Sequence, residues 1–310
     1  MNIYNKFIEE VDKNGLAYAM KKSIKHISRK TEKIRINNII DSFKVLMSEN
    51  NIIVYWWNSL DNFGDTLNPI LIKKLFKKNA YHPNKIINFR NKTVYSAIGS
   101  ILQIVNYKKL EIWGSGFIDE NSFLKCEPVE IHAVRGPLTR MKLKQQGFYC
   151  PEVYGDPGLL VPKFYNPKVK KTFKLGIVAH YVDKDNKIIN FLKNKYKEDI
   201  LFIDIQGNWR EVIDNINKCE IIASSSLHGI ITADAYNIPS LWIKLSDKVS
   251  GGNFKFHDYM LSVGRKQMEP FLLNREYKLI DIINSVEDYK INIDLEKLVN
   301  SCPFKDIKNN

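Results

Sequence analysis

The sequence predicts an α/β protein with two domains of parallel sheet. Residues 219–244 supply the first observation. Ile221-Ile222-Ala223 is an apolar run ending in three serines, and Leu227-His228-Gly229 then opens a helical pattern over 230–236. Asn237 and Pro239 stop that helix, and Leu241-Trp242-Ile243 reads as the next strand. Strand, tight turn, helix and strand make the βαβ unit of a parallel sheet. The second observation is repetition: the same alternation runs from residue 51 to 161 and restarts at 173. The third is length, since 310 residues suit two domains, each with its own core.

In order, residues 1–48 form a helical arm. Tyr4, Ile8, Val11, Ile24 and Ile27 recur at loose helical spacing, and Lys21, Lys22, Lys25, Arg29, Lys30, Lys33 and Arg35 make its middle basic. Such a helix either packs on the core or lies on an anionic membrane surface. The first domain spans 49–165. Asn51 to Trp57 is a β-branched and aromatic strand that runs into Asn62-Phe-Gly-Asp65, with a helix expected over 70–78. Asn62 and Asp65 fall at the carboxyl edge of the sheet, where Asp65 is either a helix cap or a site residue. Leu110–Gly114 is a strand ending in Gly114-Ser115-Gly116, which lets the backbone turn sharply or approach a ligand. It fits no dinucleotide fingerprint, and no phosphate-loop lysine follows.

Val129–Val134 is the next strand and leads to Arg135-Gly136-Pro137-Leu138-Thr139, with Pro137 suited to a first helical turn. Arg135 at a strand end can fork onto a carboxylate or phosphate, or make an ordinary ion pair. Gly155-Asp156-Pro157-Gly158 is a turn, and the proline- and lysine-rich stretch after it carries the linker at 166–172.

The second domain spans 173–265, with strands at 173–180 and 201–205 and helices at 187–196 and 209–217 ahead of the serine turn. Asp183-Lys184-Asp185 resembles a metal-binding acidic pair, but before a helix it reads better as capping. At the serine turn, Ser224, Ser225, Ser226, Leu227, His228 and Gly229 put hydroxyls, free backbone N–H groups and an imidazole at a helix N-terminus, a setting that favours phosphate or carboxylate. The same serines can simply cap the helix, with His228 a satisfied residue of its first turn. After Trp242, a Gly-Gly stretch carrying Lys248, Lys255 and His257 reads as a mobile basic flap. Residues 266–310 are a helical tail that packs back towards the first domain.

The net charge of +13 favours phosphorylated small molecules, polyanions or an anionic membrane surface. No nucleic-acid-binding signature accompanies it. The four cysteines are widely spaced, which indicates neither a zinc site nor a disulfide framework and suits a cytoplasmic location.

Four segments in order, Asn62-Phe-Gly-Asp65, Val134-Arg-Gly-Pro-Leu-Thr139, Gly155-Asp-Pro-Gly158 and Ser226-Leu-His-Gly229, resemble the polysaccharide pyruvyl transferase family over residues 50–262. The resemblance implies two Rossmann-like domains facing a cleft, similar to the GT-B glycosyltransferase arrangement. It implies transfer of the pyruvyl group of phosphoenolpyruvate onto two hydroxyls of a sugar, forming a ketal in capsule or exopolysaccharide biosynthesis. The acceptor it implies is a lipid-linked repeat unit at the cytoplasmic membrane face. The family's essential Arg and His fall on Arg135 and His228, and its functional lysine on Lys248 by spacing or Lys255 by context. Where some members carry an Arg before Leu-His, this chain has Ser226. The expected roles are Arg135 holding a carboxylate or phosphate, His228 as general acid or phosphate contact, and Asp65 as base. Asn62, Ser115, Ser224–Ser226, Leu227, Gly229 and the two lysines are expected to bind substrate. Neither metal, cofactor nor nucleotide is required. A nucleotide-sugar glycosyltransferase of the same fold and a non-enzymatic basic scaffold are the rival readings.

Overall fold

The computed structural model describes residues 36–305 except 60, 61, 88 and 90, so most of the basic arm lies outside the described residues. The first sheet has five parallel strands, β1 (Asn51–Tyr55), β2 (Asn79–Tyr81), β3 (Val94–Ser96), β4 (Leu110–Trp113) and β5 (Glu130–Ala133), in the order β2-β1-β3-β4-β5. The second has β6 (Phe173–Ala179), β7 (Ile200–Asp204), β8 (Cys219–Ser224), β9 (Ser240–Lys244) and the short β10 (Phe271–Leu272), in the order β10-β9-β8-β6-β7, again parallel. Counted within each half, both sheets read 2-1-3-4-5, a doubly wound order whose direction reverses between the first and third strands. That point lies between β1 and β3 in one half and between β6 and β8 in the other. The inner strands are buried on both faces, which is why they read as apolar runs rather than alternating ones.

Helices α1 (Ile36–Met47), α2 (Phe63–Phe76) and α3 (Pro137–Gln145) belong to the first half. Helices α4 (Lys187–Lys195), α5 (Trp209–Asn217), α6 (Leu227–Ala235) and α7 (Phe254–Ser262) belong to the second. Phe63, Leu67 and Leu71 of α2 share one continuous apolar core with Val212, Ile213 and Ile216 of α5 and with Ala233 of α6. The two halves therefore meet through packed side chains. The tail has two short helices, α8 (Leu279–Asn284) and α9 (Leu295–Asn300). Trp113 Nε1 donates to Leu298 O at 2.9 Å, and Phe304 packs edge-on to Phe76, Trp113 and Tyr95 of the first half.

Three local expectations change. Helix α2 begins at Phe63, not residue 70, and runs through Pro69. Proline has no N–H for the Asp65 carbonyl. Asn68 supplies the missing donor: its Nδ2 reaches Asp65 O at 3.1 Å, while its Oδ1 accepts Ile98 N–H at 3.0 Å. Residues 254–262 form α7 rather than part of a flap, because Phe256, Tyr259 and Met260 bury against Trp242, Leu227 and Ile230. Helix α4 is capped by Asn186, whose side chain accepts Ile188 N–H at 2.8 Å. Asp183 instead accepts the Ser246 hydroxyl. Among the described residues, no helix is long and apolar enough to cross a membrane.

Candidate active site

The carboxyl ends of the strands flanking the two reversal points line one cavity of about 360 Å³. From the first half it takes Trp57, Asn62, Asp65, Ser100 and Gln103, and from the second His180, Ser226, Leu227, His228, Ser250 and Lys255. Open doubly wound sheets bind ligands at this place.

Three glycines allow distant stretches of chain to approach closely at this site. A Cβ on Gly64 would lie 2.1 Å from Cγ of His228, so that imidazole rests on the first turn of α2. A Cβ on Gly116 would lie 2.6 Å from Cζ of Arg135, so the Gly114-Ser115-Gly116 turn is a seat for the guanidinium. A Cβ on Gly136 would lie 1.9 Å from Asp258 O, which lets α7 of the second half dock on α3 of the first.

Arg135 is 1% exposed and its nitrogens have internal partners. Nε donates to Asp258 Oδ2 at 3.0 Å, Nη1 to Ser100 Oγ at 2.5 Å and Nη2 to Phe117 O at 2.7 Å. Asp258 also accepts Thr139 N–H at 2.8 Å and the Thr139 hydroxyl at 2.7 Å. The Arg-Gly-Pro-Leu-Thr segment is thus a socket for one carboxylate, and Arg135 stands behind the cavity wall. Its charge still reaches His228, Asp156 and Lys255, shifting all three towards their less protonated forms.

Asn62 caps α2, accepting Gly64 N–H at 3.1 Å, and Asp65 follows in the first turn. Burial, and then the neighbouring carboxyl of Asp156, push Asp65 up to about 8, against a hydrogen bond from the Trp57 backbone. Burial pushes Asp156 up to about 6. His228 moves the opposite way. Burial, then Lys255, Arg135 and His180, push it down to about 3. Its ring makes no hydrogen bond among the described residues.

The serines divide by role. Ser224 is fully buried, bonds Val178 O at 3.0 Å and accepts Ser226 N–H at 3.0 Å. A Cβ on Gly229 would lie 2.3 Å from Ser224 Oγ, which accounts for that glycine. Ser225 Oγ accepts His180 N–H at 2.9 Å. Ser226 is the N-cap residue of α6, yet its hydroxyl makes no capping bond and it lines the cavity.

The two lysines separate. Lys255 is 8% exposed, donates to Ser250 O at 3.0 Å and is pushed down to about 8 by burial and then Arg135. Lys248 is exposed on the adjoining loop, outside the cavity. Ser115 does not reach the cavity either, since it is fully buried and bonds Ser96 Oγ at 2.8 Å. His180, Ser100, Gln103 and Trp57 line the cavity without having stood out in the sequence. His180 ends a strand and Ser100 sits in a Gly-Ser pair, but only the strand order shows that both flank a reversal point.

The model of the family described as polysaccharide pyruvyl transferase matches residues 62–247. Lys255 and Asp258 lie beyond the matched segment. The chain is 28% identical over 250 residues to an uncharacterized protein, L143, of Acanthamoeba polyphaga mimivirus, covering 75% of this chain and 83% of that one. It is 29% identical over 222 residues to the succinoglycan biosynthesis protein ExoV of Rhizobium meliloti (strain 1021), covering 68% of this chain and 64% of that one. No solved structure matches it significantly.

Proposed function

Because the chain belongs to the polysaccharide pyruvyl transferase family, we propose that it moves the enolpyruvyl group of phosphoenolpyruvate onto two hydroxyls of one sugar, releasing phosphate and leaving a pyruvate ketal. The two halves are read as a GT-B-like pair with the reaction in the crevice between them. We read the acceptor as a lipid-linked glycan at the cytoplasmic membrane face; a glycan acceptor is in keeping with the Rhizobium meliloti relative's name as a succinoglycan biosynthesis protein. The chemistry needs no metal, cofactor or nucleotide.

One observation carries the reading: Asp65 and His228, from opposite halves, line one cavity, with the His228 ring on the first turn of the helix that bears Asp65, and burial moves the carboxyl up to about 8 and the imidazole down to about 3, which pairs a proton donor with a proton acceptor. Ketal formation needs such a pair, because the enol methylene must gain a proton while a hydroxyl loses one. We assign Asp65 as the acid and His228 as the base, the reverse of the roles expected from sequence, because burial and neighbouring charge set their protonation in that sense.

In the first step the Asp65 proton goes to the methylene carbon. The sugar hydroxyl oxygen bonds to the adjacent carbon, and its proton passes to His228. In the second step the bond from that carbon to the phosphate oxygen breaks, and the imidazolium proton leaves with the phosphate. The second hydroxyl then closes the ketal and returns its proton to Asp65. Both side chains end as they began. The anionic donor is held by Lys255 and by the open N–H groups at the start of α6. Arg135 acts from behind the wall, fixing α7 and contributing positive potential.

The pH profile follows from these assignments. Both Asp65 and Lys255 are protonated below about 8, and His228 is a free base above about 3. kcat/KM for phosphoenolpyruvate is expected to be flat near neutrality and to fall as the pH rises through about 8. Lys255→Arg, which keeps its charge, should retain that alkaline limb because Asp65 still titrates; a limb that vanishes in this variant assigns it to the lysine alone.

The ligand class is tested by thermal unfolding. Phosphoenolpyruvate at a hundredfold excess over Kd should stabilise the protein by about 2.7 kcal/mol. Stabilisation by nucleoside diphosphates and not by phosphoenolpyruvate would identify a nucleotide-sugar glycosyltransferase instead.

A further inference from the structure

We propose that His180 is a substrate-binding residue, a neutral imidazole held in one tautomer whose Nε2–H donates to an oxyanion of the phosphorylated acid at the start of α6. The ligand's identity rests on the reading above; the donor rests on geometry. His180 stands at the carboxyl end of β6, on the reversal point shared with β8. Its backbone N–H donates to Ser225 Oγ at 2.9 Å, which ties it to the turn that opens α6. Nδ1 accepts the Val182 N–H at 3.4 Å. A backbone N–H only donates, so Nδ1 presents its lone pair and the ring proton resides on Nε2. The ring packs on Tyr181 at 4.2 Å, which restrains its plane.

The surroundings call for a donor of this kind. Nε2 has no partner among the described residues, and His180 lines the same cavity as Ser226, His228 and Lys255. Ser226 is 3% exposed, and its hydroxyl also lacks a partner among the described residues. The first N–H groups of a helix have no acceptor within it. These donors converge beside a buried lysine, and no carboxylate of the second half lines the cavity. Such a set fits an oxyanion. The groups facing the ring are Lys255 from α7 and His228 from α6. Burial and then Lys255 push His180 down to about 4, so the ring stays neutral while it binds. It adds a directed hydrogen bond without adding a third positive charge to a site that already holds Lys255 and feels Arg135.

The test is calorimetric titration with phosphoenolpyruvate and with inorganic phosphate, on the wild type and three variants whose fold is checked by circular dichroism. His180→Ala should weaken binding of both ligands about tenfold. His180→Gln, whose amide nitrogen stands where Nε2 stood, should recover most of that loss. His180→Asn, whose amide reaches only the place of Nδ1, should not. Equal binding by wild type and His180→Ala, or rescue by Asn rather than Gln, overturns the donor and leaves the proposed reaction standing. A wild type that binds neither ligand removes both. Nitrogen NMR of the ring gives a readout free of any ligand: the Nε2–H tautomer is expected from pH 6 to 8, and an Nδ1–H tautomer or an imidazolium there contradicts it.

Discussion

Replacing His228 by alanine is expected to lower kcat about 10²- to 10⁴-fold, the range for losing a positioned acid–base group, while the protein keeps its fold. The imidazole makes no hydrogen bond that the fold would miss, and its ring lies on the backbone of Gly64 at the cavity surface. In the proposed reaction its loss removes the acceptor for the first hydroxyl proton and the donor for the departing phosphate, so both steps should slow. KM for phosphoenolpyruvate should change far less than kcat, because the proposed holders of the anion are Lys255 and the α6 turn. Phosphate release from phosphoenolpyruvate in the presence of acceptor measures this. A folded variant with unchanged kcat would remove His228 from the chemistry.

The second large effect is on stability. Asp258→Ala should cost about 3–5 kcal/mol, the usual loss when one partner of a buried ion pair is removed. Arg135 and Asp258 are each at most 1% exposed and sit in different halves of the molecule. Without the carboxylate, the guanidinium keeps its charge in a buried site, and the N–H and hydroxyl of Thr139 lose their acceptor. Asp258→Asn keeps the shape and one acceptor, so its loss should be smaller. Urea unfolding gives the numbers, and a cost under about 1 kcal/mol for the alanine variant would mean the pair is screened like a surface one. The pair also serves the site. Asp258 and Lys255 are three apart on α7, so docking Asp258 in the Arg-Gly-Pro-Leu-Thr socket sets where Lys255 enters the cavity.

Much of this architecture can be read in the sequence, and the reasons are local. Asn51 to Tyr55 and Phe173 to Ala179 are strands because parallel strands buried on both faces must be apolar and β-branched throughout. The motif glycines mark crowded backbone, but a glycine does not name what crowds it. That the ring on Gly64 belongs to His228, and the carbonyl on Gly136 to Asp258, depends on contacts between distant segments. The expected clamp at Arg135 shows the same limit. A guanidinium at a strand end looks ready for a substrate, and its partner lies 123 residues later in a stretch that reads as loop. Gly251 and Gly252 suggest a mobile segment, yet Phe256, Tyr259 and Met260 immediately beyond them form a buried helix. Protonation is the least legible property. Ordinary values make Asp65 a base and His228 a plausible acid, whereas burial in one cavity moves Asp65 up to about 8 and His228 down to about 3.

The most direct measurement is mass spectrometry of the surface polysaccharide from cells carrying the intact gene, a deletion, and the deletion complemented with the His228→Ala form. A pyruvate ketal present only with the intact gene is the predicted result. A glycan of unchanged pyruvate content across all three strains would contradict the assignment of this cavity to pyruvyl transfer.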